Sequence, residues 1–111
     1  MSREQRERLH DILEAIDAIR SHGALADEAP SELVRDAILY RLVVIGEAVK
    51  ALPRDRLVRQ SNVNWRGIAG LRDLLTHEYF RIERARIDEI VEQHLDPLEQ
   101  AVGEILAELE A

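Results

Sequence analysis

The sequence lacks cysteine altogether, and among its 111 residues it has three prolines, five glycines and one Trp, two Tyr and one Phe as its aromatic complement. Without thiols neither a disulfide framework nor a thiolate zinc site can form. Few aromatics argue against sheets, whose strands are enriched in them, and favour helices. No apolar run approaches the roughly 20 residues of a membrane span. The N-terminal stretch "MSREQRERLHDILEAI" is charged and has no apolar signal core, so a cytoplasmic location is expected. What is present, 46% hydrophobic and 33% charged residues, fits a single all-α domain over residues 1–111. A chain this short buries only about two-thirds of its unfolded surface, so a second subunit would add stability.

The net charge is -7, and it is unevenly spread. Residues 1–49 hold 6 basic and 10 acidic side chains, residues 50–86 hold 9 and 4, and residues 87–111 hold none and 8. Phosphate contacts dominate nucleic-acid affinity, so a uniformly acidic surface would repel such a ligand. Lys50, Arg54, Arg56, Arg59, Arg66, Arg72, Arg81, Arg84 and Arg86 form either a local anion-attracting surface or a set of loops and helix ends that balance the acidic helices.

The apolar spacing predicts an antiparallel bundle of four main helices plus a short connector helix. Ser2 and Gln5 read as a capping box opening a helix over about residues 3–22, stopped by Gly23. Ser31 after Pro30 reads as the N-cap of a second helix reaching Leu52, ended by Pro53. Ile38, Leu42, Ile45, Val49 and Leu52 make one stripe on it and Ala37, Val44, Ala48 and Ala51 another, so this helix is central or lies at an interface. After the polar connector "PRDRLVRQSNVN", Asn64 caps a third helix from Trp65, with Ile68, Leu71, Leu74 and Leu75 as its buried side. Gly67 and Gly70 are expected to mark a close approach to another backbone. A final helix runs from about Glu83 to Leu109 with Pro97 as a kink.

Within the third helix, "RDLLTHEYF" puts an Arg, an Asp, a His and a Tyr among leucines. At 100° per residue Arg72 and Tyr79 lie almost on one line, while His77 is about 140° round from Arg72, so the two flank a groove. Asp73, four residues before His77, is placed to hold one imidazole nitrogen and fix the tautomer. Together they offer a guanidinium for phosphate, an imidazole for proton transfer, a carboxylate to orient it and a phenol alongside. That set suits attack of an RNA 2′-hydroxyl on its neighbouring phosphate without a metal; the acid and the base both needed would come from two copies facing each other in a symmetric dimer. Spacing alone is a weak signal, and a solvated helix face is the plainer account of it.

"RLVVIGEAVKALP" (residues 41–53) and "NWRGIAGLRDLLTHEYF" (residues 64–80) closely resemble the HepT family, the minimal HEPN-domain toxins encoded beside small nucleotidyltransferase antitoxins. The likeness runs from "LHDILEAIDAIR" to the acidic last helix, and Arg72, His77 and Tyr79 match the family's Arg-x4-His-x-Tyr motif in full. The resemblance implies a homodimeric HEPN fold whose two motifs meet in a cleft, and a metal-independent endoribonuclease acting as the toxin of a type VII toxin–antitoxin system. It also implies an MntA-like nucleotidyltransferase partner that silences the toxin by transferring AMP from ATP to Tyr79. A phosphoadenylate there would add negative charge and bulk beside Arg72, opposing RNA phosphate. The substrate expected is RNA, such as tRNA or mRNA, with no cofactor and no metal. Asn64 stands where many relatives carry Pro, which touches the helix start and not the chemistry.

Arg66 and Arg81 are candidate substrate contacts. Glu47 faces either the motif cleft or solvent along the Asp36, Tyr40, Glu47, Lys50 line. His10, His22 and His94 show no metal-like grouping with carboxylates, and Trp65 reads as a core anchor in preference to a base-stacking platform. Two other readings stand beside the nuclease: a catalytically idle helical module that docks a nucleotidyltransferase through its basic middle third, and a dimer that holds ATP on Arg72 and the basic patch.

Overall fold

A computed structural model describes residues 1–78 and 84–110, which form helices and no strand among the described residues. The first two helices are α1, Arg3–Ala24, and α2, Ser31–Lys50; the short α3, Arg54–Leu57, α4, Trp65–Ala69, and α5, Leu71–Glu78, lead to the long α6, Arg84–Glu110. At 1.5 Å per residue α6 alone is about 40 Å long, and it sets the 43 Å longest dimension of the molecule.

Local side-chain chemistry accounts for two of the helix starts. Ser2 Oγ accepts from the Gln5 N–H at 3.1 Å, and Gln5 Oε1 accepts from the Ser2 N–H at 3.0 Å, closing the expected capping box. The helix then runs through Gly23 and ends one residue later. Asn64 Oδ1 accepts from the Gly67 N–H at 3.0 Å and caps α4. At α2 the expectation is corrected: Pro30 is the N-cap, Ser31 is the first helical residue, and no side chain caps the end. Proline's fixed φ suits the entry, and Pro30's carbonyl accepts from Leu33 and Val34 in the first turn. The helix stops at Lys50, two residues short of the expected end.

α2 is the central element, packing against α1, α4 and α5, while α1 also packs against α6. Leu9, Ile12, Ile16 and Ile19 of α1, Leu42 and Ile45 of α2, and Leu98, Val102 and Ile105 of α6 are all but fully buried. α6 continues through Pro97 without interruption. Across its outer edge Arg20 holds Glu99 at 2.6 Å and also pairs with Asp96. The Glu99 hydrogen bond, and beyond it the Asp96 contact, outweigh burial and raise the Arg20 pKa above its ordinary value. The guanidinium therefore stays charged throughout the neutral range, and this clasp introduces no pH dependence there.

Gly46 decides how closely α2 meets the segment that carries the motif. A Cβ at this position would stand 3.0 Å from the Ile68 carbonyl oxygen and 3.2 Å from the Arg72 backbone nitrogen. Such contacts are with backbone, which cannot swing aside. Gly46→Ala is expected to lower stability by about 1–3 kcal/mol through overpacking, read as a lower urea midpoint with an unchanged slope. The close approach therefore falls here and not where it was expected. Gly67 lies against its own capping side chain, and Gly70 closes α4 as its C-cap, so the expected third helix is two helices. Leu71 and Leu75 are buried as expected, whereas Leu74 is 39% exposed, at the rim of a small cavity it helps to line.

Candidate functional site

The site is built on α5 and the face of α2 beneath it. α5 is eight residues long, and Leu71 and Leu75 bury one side of it, leaving Arg72, Asp73, Thr76 and His77 exposed. Thr76 Oγ1 donates to the Arg72 carbonyl oxygen at 2.8 Å, with the Asp73 carbonyl at 3.3 Å, so that hydroxyl is turned back onto its own helix.

Arg72 is tethered across the helix pair. Its Nε lies 3.4 Å from Oε1 of Glu47, with the two side chains 51% and 44% exposed. Glu47 thus stands against the motif arginine while much of its side chain stays open to solvent. The contact is an ion pair without hydrogen-bond geometry, and Glu47 Oε1 is itself shielded from water with no hydrogen bond. A half-exposed pair of this kind contributes about 1 kcal/mol or less; its effect is to aim the guanidinium. No hydrogen bond engages that guanidinium among the described residues, so its donor fork stays available for an anion.

His77 stands near the end of α5, exposed, with neither a hydrogen bond nor an ion pair among the described residues. Asp73, one turn back, is likewise unpaired and does not hold the imidazole in this state. Tyr79 and Arg81 lie outside the described residues. Arg66 is exposed on α4 and lines a groove together with Trp65. His94 is half-buried on the wall of a small cavity of about 90 Å³ between α2, α4, α5 and α6, whose lining is mostly leucine and isoleucine. Among the described residues no three His, Asp or Glu side chains gather in a metal-ligating group, and no helix is long and apolar enough to cross a membrane.

The exposed line of α2 leads into the same site. Leu33, at 62% exposure, and Tyr40, at 63%, stand seven residues apart, and Glu47 follows seven further on. Residues at this spacing share one helix face. Arg41 lies over the Tyr40 ring, 5.6 Å from its centre. An apolar strip on the central helix thus ends at the carboxylate that aims Arg72.

An all-α bundle carrying an exposed Arg and His five residues apart on a short helix, with the Arg aimed from the central helix, is a HEPN fold. The chain belongs to the HepT-like ribonuclease family, whose sequence profile, described as "Ribonuclease HepT-like", matches residues 10–105. It is 42% identical over 80 residues to "Putative RNase TTE0752" of Caldanaerobacter subterraneus subsp. tengcongensis, covering 68% of this chain and 71% of that one. It is 36% identical over 107 residues to "Putative RNase MJ0127" of Methanocaldococcus jannaschii, covering 92% and 87%. To "Probable ribonuclease HepT" of Thermococcus cleftensis it is 33% identical over 86 residues, covering 75% and 78%. No solved structure matches the chain.

Proposed function

We propose that this protein is a metal-independent endoribonuclease whose working unit is a homodimer, with Arg72 and His77 of each copy facing a shared cleft. The observation that carries the reading is the Arg72–Glu47 pair on the same short helix as an exposed His77 that has no partner among the described residues, in a chain of the HepT-like ribonuclease family.

The 2′-oxygen of the substrate attacks the adjacent phosphorus, and the 5′-oxygen of the next nucleotide leaves with the electron pair of the broken P–O bond. The products are a 2′,3′-cyclic phosphate and a free 5′-hydroxyl. One His77 takes the 2′-hydroxyl proton and the other delivers a proton to the leaving oxygen. The Arg72 guanidinium neutralises the charge that builds on the non-bridging oxygens. A single copy supplies one imidazole for two proton transfers, which is why a dimer is part of the proposal. The exposed Leu33 and Tyr40 line on α2, continuous with Glu47, is the face on which a second copy would pack.

Family membership further supports a role as the toxin of a toxin–antitoxin pair, silenced by a nucleotidyltransferase that transfers AMP to Tyr79. The test is cleavage of total tRNA with EDTA present, by untreated protein and by protein preincubated with the adjacent nucleotidyltransferase and ATP. Cutting by the untreated sample alone is the expected result, with mass spectrometry placing the adduct on Tyr79. Cutting that EDTA abolishes would overturn metal independence, and a monomer that cuts would overturn the shared cleft.

A further inference from the structure

We propose that the groove between the C-terminal end of α2, α3 and α4 is a subsite for the single-stranded RNA flanking the cleaved bond. The inference deepens the ribonuclease reading and rests on it. Lys50, Arg54 and Arg66 line this groove of about 370 Å³, and no carboxylate stands on its wall. Arg3, Arg20, Arg59, Arg72 and Arg86 each pair with a carboxylate. The side chains of Lys50, Arg54 and Arg66 make neither an ion pair nor a hydrogen bond among the described residues. On a protein of net charge -7, three cations around one groove, unpaired among the described residues, form a local well for a polyanion.

Trp65 gives the groove its second feature. The ring is half-buried against the core, and its indole N–H donates to the Gln60 carbonyl oxygen at 3.0 Å. Its donor is thus already used, and the indole, tethered by that bond, lines the groove. A fixed ring flanked by cations is the arrangement that stacks a base while the backbone follows the charges. The volume is at the low end for sites that enclose a small organic molecule, enough for about one nucleotide unit. The place also fits. Lys50 is three residues beyond Glu47, about 4.5 Å along the α2 axis, and Arg66 is six residues before Arg72. A strand whose scissile phosphate sits at Arg72 enters the groove with its next units. Trp65 therefore serves the core and the ligand together.

Trp65 is the sole tryptophan, so fluorescence excited selectively at the indole and not at the two tyrosines reports on the groove. The experiment titrates the full-length His77→Ala protein, which binds without cutting, with a twelve-residue oligouridylate and separately with inorganic polyphosphate. The oligouridylate is expected to quench the fluorescence and polyphosphate to leave it unchanged. In the Lys50→Gln/Arg54→Gln double variant, both changes being at exposed positions, affinity should fall. The slope of log K against log salt should shrink by about 0.7 for each lost phosphate contact. Binding with unchanged fluorescence, or an unchanged salt slope, would overturn the subsite. So would a double variant that loses the nucleotidyltransferase but keeps RNA, which would make the groove a protein-docking surface. Quenching by an RNA that the wild-type protein never cuts would support the subsite while overturning the cleavage reading.

Discussion

Replacing His77 by Ala is expected to lower the rate of RNA cleavage by at least about 10²–10⁴-fold, the range for removing one general acid or base. In the proposed dimer the substitution removes both the acid and the base, so the upper end applies. The side chain is exposed and bonded to nothing among the described residues. The variant should therefore keep the melting temperature, the helical circular dichroism and the oligomeric state of the parent. Single-turnover cleavage of a labelled oligoribonucleotide, alongside binding of the same oligonucleotide, checks it: kcat should collapse while affinity holds. A variant that still cuts at the parental rate would remove His77 from the chemistry.

The second large effect belongs to Arg72. Arg72→Ala should reduce kcat by about 10²–10³-fold, as expected for loss of one donor that stabilises transition-state charge. Arg72→Lys should recover only part of it, because an ammonium restores the charge but not the two-pronged fork. Glu47→Gln separates aim from charge. Glu47 is expected to act through the Arg72 it touches, as a positioning residue, so its neutral replacement should lower kcat by a smaller factor than Arg72→Ala with little change in KM. The deciding comparison is the pair: in an Arg72→Ala background, Glu47→Gln should have no further effect on kcat. Independent, additive losses would show that Glu47 acts by a route other than Arg72.

The second experiment turns on a contact that is only partly legible in the sequence. Arg72, Asp73 and His77 can be placed on one short helix by spacing alone, because a helix fixes the angular relation of near neighbours. Glu47 cannot be assigned that way. It lies 25 residues earlier on another helix, and helical spacing is equally consistent with its facing solvent. The "GE" at 46–47, inside an otherwise apolar helix, is the one available signal, and it is a weak one. Trp65 is half legible in the same sense: its role as a core anchor follows from its size, whereas the cations around its open face come from three separate elements.

By itself the sequence determined what local chemistry controls. The absence of cysteine excluded disulfides and thiolate zinc, and the apolar positions recurring at helical spacing, with few aromatics to favour sheets, made the chain helical. Ser2 with Gln5, and Asn64 with the Gly67 N–H, set two helix starts through hydrogen bonds spanning three residues. Only the tertiary structure decided where backbones meet. It put the close approach at Gly46 and made Gly70 the end of a helix. It left Leu74 partly exposed, paired Arg72 with Glu47, and gathered Lys50, Arg54 and Arg66 around the groove that Trp65 lines. The reason is physical: caps and periodicities act within a turn or two of chain, whereas a helix crossing depends on which side chain is missing on each of two surfaces that the sequence keeps apart.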